Sequence, residues 1–416
     1  MATATNALFN DMLKKYMPYE LLFEETMKRD YFLSSVDKDQ SWTGGEMQIP
    51  FMGGAASSYA FGQLTDIADI TEDRPILGIV SDYKEIWGSM VFNDQDLHRH
   101  GDMKTSFLKI LPSRLEDFIV RMKEAVSVNL LNGSHLLTLD AASGDTNLGS
   151  GVIVVDRPAR VQIGMFLEFG IVGTLRASGY VQSVNIELKT ITVVDNKALA
   201  AGVPAGFGTI VAGDKAFIRG GTTANQAFTS LKEQLLPATV PGGSANLFGI
   251  SKLAYPHLQC PAFDGNTITA GNILDKIFEY YNETRTLGKG MPTDCVMSFK
   301  HLGSAMAALE VAREYTISDT KVNKFGWTEI NIVGVKGQLK LVGVQEMDDD
   351  TIFFLDWSGI KLHSNGFFER RESPDGNAFY EVRSTSGYQY VVDTRFFGEL
   401  VVTKPSHCGV VYGISY

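Results

Sequence analysis

The chain has 416 residues, 44% of them hydrophobic and 20% charged, which excludes a disordered polypeptide and points to two or three packed units. Its formal net charge of −11 argues against a protein that grips nucleic acid, since phosphate recognition normally demands a basic surface, but not against one that encloses it. Cys260, Cys295 and Cys408 stand far apart and form no CxxC pair, so thiolate metal ligation and a disulfide framework are not expected, and a reducing compartment is.

No run of about eighteen apolar residues occurs, so no membrane span is expected. The acids, bases and aromatics within the first twenty positions do not read as a signal peptide. Residues 1–36 read as helical segments: Leu8, Met12, Leu13 and Tyr16 recur at helical spacing, and Leu22, Phe23 and Met27 continue it. So short a segment does not bury both faces on itself and must lie on another part of this chain or on a neighbour. Residues 44–84 change character. Gly44-Gly45 and Gly53-Gly54 bracket Met47–Met52, a stretch of small residues follows to Gly62, and Ile76–Tyr83 forms a short apolar run. This reads as two strands joined by a long excursion that packs weakly on itself. Loops of that size inside a compact domain are uncommon and usually functional. Tyr59 and Phe61, isolated among small residues, favour docking onto a partner over joining a local core.

The clearest helix covers residues 104–132, where Phe107, Ile110, Leu111, Leu115, Phe118, Ile119, Met122, Val126 and Leu130 follow the 3, 4 spacing. Proline is disfavoured inside a helix, so Pro112 is expected to mark the first turn, with Phe107–Leu111 as a lead-in. Asn132-Gly133 supplies the stop. From Pro112 onward the rod would be roughly 30 Å long at about 1.5 Å per residue. Residues 150–221 read as a separate β unit, a barrel or small sandwich: Val184, Ile186 and Leu188 alternate, as do Ile191 and Val193, and glycines space the strands. Residues 222–370 mix helices (Ile273–Tyr281, closed at Leu287-Gly288, and Leu302–Tyr315) with β runs at Ile330–Val344 and Thr351–Leu362. Two further strands are expected at Tyr388–Arg395 and Glu399–Thr403. No internal repeat is visible.

The search for chemistry is mostly negative. Gly288-Lys289-Gly290 lacks the rest of a phosphate loop, and there is no GxSxG or HExxH. His98-Arg99-His100, with Asp96 and Asp102 nearby, has the donor types of a metal site. Arg99 adds a repelling charge and the spacing matches no ligand pattern, so a polar turn is the better reading. Asp348-Asp349-Asp350 lacks the alternation of a calcium loop and reads as a solvated hairpin turn. Arg370-Arg371, flanked by Glu369 and Glu372, reads equally as a contact to a neighbouring subunit or DNA and as a plain exposed charge cluster. The triplets at Asn132 and Asn282 match a glycosylation acceptor, which means nothing in a cytoplasmic protein. No catalytic residue, cofactor or metal is expected, and the chain does not read as an enzyme.

The order of these pieces resembles the major capsid proteins of tailed bacteriophages, with their Hong Kong 97-type α+β fold. The exit Val128-Asn-Leu-Leu-Asn-Gly133 is similar to the family's spine exit. The runs Leu339–Gln345 and Phe354–Lys361 are similar to its late axial strands. The resemblance implies an N-terminal arm at 1–43, an extended loop at 44–84 and a spine helix at 112–132. It further implies a peripheral domain from 85–149 and 371–416, an axial domain at 222–370, and an inserted β domain at 150–221 that the minimal fold lacks. It implies a structural protein of the virion, assembled in the host bacterial cytoplasm as a homo-oligomer of pentamers and hexamers around double-stranded DNA that is not read by sequence. Phe51, Met52, Tyr59, Phe61, Leu8, Met12, Arg370 and Arg371 become the expected inter-subunit contacts, and Pro112 and Gly133 the expected flexing points. No lysine lies between Gly44 and Tyr83, so covalent cross-linking through that loop is not expected. A separate scaffolding protein is expected, with a portal and, as an open question, a decoration protein. The alternative within the same fold is an encapsulin-like nanocompartment shell.

Overall fold

A computed structural model describes residues 30–42, 46–51, 76–80, 84–93, 103–133, 135–139, 151–312, 329–364 and 368–416, apart from breaks of one to five residues within the last three stretches. The chain divides into two compact units: one of Met1–Ser34, Tyr83–Phe228 and Ser364–Glu399, the other of Ser35–Asp82, Thr229–His363 and Leu400–Tyr416. One strand, Gly387–Val402, starts in the first and ends in the second.

In the first unit, residues 389–398 of that strand pair antiparallel with Lys84–Asn93 along one edge. Phe368–Arg370 and Tyr380–Ser384 pair antiparallel along the other. Cross-strand partners share a face, and neighbours along a strand alternate. On one face the helix Met103–Asn132 closes over Gly88 with Phe118 and Met122, and its Ile119, Met122 and Val126 are buried. The opposite face leaves Trp87 and Val91 exposed, with Arg395 5.6 Å over the Trp87 ring.

The helix does not begin at Pro112 as expected. It starts at Met103 and runs through the proline, which removes one main-chain hydrogen bond of a ladder that the turns on either side continue. It stops where the sequence says, with Gly133 at φ +116° directly after Asn132, a conformation that only glycine adopts without strain.

Beyond Gly133 six strands form one antiparallel sheet in the order His135–Thr138, Lys215–Ile218, Phe166–Ile171, Thr174–Asn185, Thr190–Val194 and Val152–Val154. The two outer strands meet at a Leu139–Val155 bridge, and Asp156 N–H donates to the Thr138 carbonyl at 3.1 Å. The sheet therefore closes into a barrel, which removes its edges. Leu137, Leu139, Ile153, Leu167, Phe169, Val181, Ile191 and Val193 fill the interior, joined by Val128 from the last turn of the helix.

The second unit is built on a six-stranded mixed sheet. Its order is Ala262–Asp264, Gly409–Tyr412, Thr351–Leu355, Asp294–Met297, Gly337–Gly343 and Glu329–Gly334. The helices Ile273–Leu287 and Phe299–Ala312 supply Ile273, Ile277, Tyr281, Leu302 and Ala305 to its core. The expected boundary at 370/371 shifts here, because Gly409–Tyr412 lies inside this sheet between Ala262–Asp264 and Thr351–Leu355. The strand Gly387–Val402 carries the chain there without a break, where two separate strands were expected. Among the described residues no helix is long and apolar enough to cross a membrane.

Candidate assembly surfaces

Two stretches were expected from the sequence to make inter-subunit contacts: the segment leading into the body, and the glycine-bordered hairpin after it. The described end of the leading segment is tied to its own chain. Asp30 caps the helix Tyr31–Ser35, its carboxylate accepting from Leu33 N–H at 3.1 Å, and Lys123 lies 3.7 Å from the same carboxylate. Asp37–Asp39 then pairs in parallel with Ile360–His363. The ion pair Asp37–Lys361 at 3.8 Å and a contact of His363 Nδ1 with the Asp39 carboxylate at 3.2 Å run along that ladder. Hydrogen bonds from Ser41 hold Asp39 below the usual carboxylate range, and burial pushes His363 down.

The hairpin base is the antiparallel pair Met47–Phe51 and Ile76–Val80. Its inner face, Ile49, Phe51 and Val80, packs with Trp42, Leu247, Ile250, Leu258 and Val401. Phe51 stacks on Phe248, ring centroids 6.3 Å apart, and Ile79 N–H donates to the Phe248 carbonyl at 3.1 Å. Phe248 and Gly249 form the two-residue turn of the hairpin Asn246–Leu247 and Ile250–Ser251, with φ of +47° and +84°. That turn normally takes Asn-Gly. A phenylalanine there carries about 1–2 kcal/mol of backbone strain, offset by the ring it places under Phe51. Gly78 makes the contact fit: a Cβ there would stand 2.4 Å from the Phe51 ring and 3.3 Å from Phe248. The outer face presents Leu77 and Ile79, both about half exposed.

This corrects the expectation for Phe51, which is a core residue of its own unit, because the strand alternation turns it inward with Ile49. The residues that do face outward, Leu77 and Ile79, were legible in the alternation of Ile76–Val80 once the inner face was known. Leu8, Met12, Met52, Tyr59, Phe61 and Arg371 lie outside the described residues, as do His98-Arg99-His100, Asp96 and Asp102. Arg370 stands opposite Thr394 in the ladder.

Asp348-Asp349-Asp350 is not a solvated hairpin turn, because the strands it joins are separated in the sheet by Asp294–Met297. Asp348 is buried, the Asp349 carbonyl accepts from His301 Nε2 at 2.6 Å, and the Asp350 carboxylate pairs with Lys232 at 2.6 Å. His301 accepts at Nδ1 from the Tyr416 hydroxyl at 2.8 Å, and burial pushes its pKa down, so this site holds a neutral imidazole. Gly288 and Gly290 have a packing role: an added Cβ would meet the Ser406 carbonyl at 2.2 Å and His407 at 2.4 Å. Among the described residues no group of three or more His, Cys, Asp or Glu side chains is placed to hold a metal.

No family model matches the sequence, and no curated protein matches it. Solved structures do. The chain is similar to a structure of the cyanophage A-1(L) capsid asymmetric unit over 92% of its own length and 91% of the other chain, with a TM-score of 0.50 and 10% identity. It is also similar to the capsid of a native GTA particle, over 92% and 90% of the two chains, with a TM-score of 0.47 and 9% identity. A third is the holo-SrpI encapsulin complex of Synechococcus elongatus PCC 7942, over 93% and 88%, with a TM-score of 0.41 and 7% identity. The frame shared with the cyanophage capsid chain is a mixed α+β fold of the Hong Kong 97 type.

Proposed function

We propose that this chain is the major capsid protein of a tailed bacteriophage, self-assembling into pentamers and hexamers of an icosahedral head around double-stranded DNA. The observation that carries this is the likeness to the cyanophage capsid chain over 92% of the sequence. The net charge of −11 agrees with enclosing DNA without gripping its bases. The exposed outer face of the hairpin, Leu77 and Ile79, offers apolar surface to a sister copy. Each such contact is small, and closure comes from many of them per subunit, with the gross apolar gain of roughly 25 cal/mol per Å² cut heavily by ordering costs. A separate scaffolding protein and a portal complete the head in this reading.

Negative-stain electron microscopy of the purified protein tests it. Closed particles or capsomers are expected, and a chain that stays a lone unit at high concentration would sink the proposal. DNA rather than an enzyme cargo inside particles from infected cells separates a phage head from an encapsulin-like compartment. Deleting residues 53–62 should leave folded capsomers that fail to close, and normal particles from that deletion would refute the role given to the loop.

A further inference from the structure

One residue grips both strands of the hairpin near the end where the chain leaves it. The ladder runs from the Met47–Val80 pair to the Phe51–Ile76 pair, and residues 52–75 join the strands beyond the latter. Phe248 reaches both strands toward that end. Its ring stacks on Phe51 of the outgoing strand, and its carbonyl accepts from Ile79 N–H of the returning strand at 3.1 Å. Gly78 leaves room for this: an added Cβ would overlap the Phe51 ring and stand 3.3 Å from Phe248. The turn that carries Phe248 is itself anchored. Leu247 and Ile250 on either side of it are buried, and Lys252 N–H donates to the Ala245 carbonyl at 3.0 Å. The Lys252 ammonium ties the same short hairpin to the Glu233 and Leu236 carbonyls.

A two-stranded ribbon is marginal alone and twists over a wide range, so whatever holds its outer end sets where it points. Phe248 does so from a backbone conformation, φ +47°, that asparagine or glycine fills with less strain. Strain of this kind persists only where the surroundings over-determine it, and it gathers at positions with a task beyond stability. We propose that Phe248 is the positioning residue of the hairpin: it fixes the direction in which the chain beyond Phe51 leaves its unit, so that every copy offers the hairpin to a neighbour at one angle. This rests on the shell reading above. A contact repeated around a shell gains from such preorganisation, because the hairpin is not ordered anew at each encounter. Ring and turn then have opposite effects: the turn by itself is better served by asparagine, and the hairpin's direction needs the ring.

The test compares the parent with Phe248→Asn, Phe248→Tyr and Gly78→Ala. Asparagine relaxes the turn and removes the ring, tyrosine keeps the ring, and the alanine wedges Phe51 away from Phe248 while leaving the turn alone. In the unassembled subunit the Ile79 amide is expected to exchange its hydrogen about tenfold faster in Phe248→Asn and Gly78→Ala. The Lys252 amide, on the turn's own ladder, should stay as in the parent. Phe248→Asn is expected to hold its thermal midpoint within about 4 °C of the parent's, since relief of the turn offsets the lost ring. Its assembled fraction, read by sedimentation and electron microscopy, should nevertheless fall about tenfold. Gly78→Ala should show the same assembly defect, and Phe248→Tyr should match the parent in every readout. Ile79 protection unchanged in Phe248→Asn would overturn the grip. Assembly that falls only in proportion to a falling midpoint would reduce Phe248 to a packing residue, and parent-like assembly in both Phe248→Asn and Gly78→Ala would end the positioning role with the shell reading intact. A parent that forms no particles sinks the shell reading separately, and the exchange rates still decide whether Phe248 holds the hairpin.

Discussion

Pro261 has no amide hydrogen, and the ladder it enters calls for one. Ala262 pairs in parallel with Val410, and Val410 N–H donates to the Pro261 carbonyl at 2.9 Å, so the next bond in the pattern would run from residue 261 to the carbonyl of Cys408. The thiol of Cys260 supplies it, 3.2 Å from that carbonyl. Cys260 is thus a structural donor, and burial pushes its thiol well up, away from the reactive thiolate. Cys260→Ala should cost about 1–2 kcal/mol by leaving a buried carbonyl unpaired, read as a lower guanidinium midpoint; an unchanged midpoint would count against the assignment. Lys252 follows similar logic. Its ammonium, 5% exposed, donates to the Glu233 and Leu236 carbonyls at 2.9 Å each, closing the C-terminal end of the helix Leu231–Leu235. Burial pushes its pKa from 10.5 to about 8. Between those values the unfolded chain keeps a proton that the native chain has shed, so this group makes stability rise with pH across that window, on the order of 3 kcal/mol in all. Lys252→Met should lose that rise, so its stability relative to the parent should fall from pH 8 to pH 10.5, as read in denaturant titrations. Neither role is visible in the sequence, because each depends on a partner that only the folded register brings near.

The long helix and the long strand show how far local pattern reaches. The 3, 4 spacing of Phe118, Met122 and Val126 places the helix, and Asn132-Gly133 places its end, because both signals are local. Pro112 misleads, since the rule weighs one lost hydrogen bond and not the turns that continue on either side. If the proline costs the helix what prolines usually cost, Pro112→Ala should raise the thermal midpoint by an amount equivalent to about 1–3 kcal/mol. A lower midpoint would mean that the proline stabilises the free subunit. Gly387–Val402 is split by the eye at Phe396-Phe397-Gly398, yet those residues pair with Lys84–Ile86, a partner some three hundred positions away. The hairpin Met47–Phe51 and Ile76–Val80 is legible as two strands. What covers its inner face, the strained Phe248 turn and Leu258, is not, for the same reason of sequence distance. The barrel is legible as alternating short strands, while its closure rests on one bridge, Leu139–Val155, that no periodicity announces.

At the scale of the molecule, the likeness to the cyanophage capsid chain extends over 92% of the sequence, and the two compact units do not follow the boundaries expected from the sequence. Ser35–Asp82 and Leu400–Tyr416 belong with the mixed sheet, and the barrel belongs with the helix that feeds it. That last attachment has a practical side. The barrel is entered at His135 and left after Ile218, and His135 faces Phe217 across the ladder, so the way in and the way out are neighbours, about 5 Å apart. A segment with such adjoining doors behaves as a cassette. Swapping residues 135–218 for a few glycines and serines, together with Val128→Ser to replace the helix side chain that joins the barrel core, should give a soluble chain that still unfolds cooperatively in calorimetry. Aggregation despite that repair would mean the helix needs the barrel to stand. The same doorway is where a foreign domain of matching end spacing is best grafted.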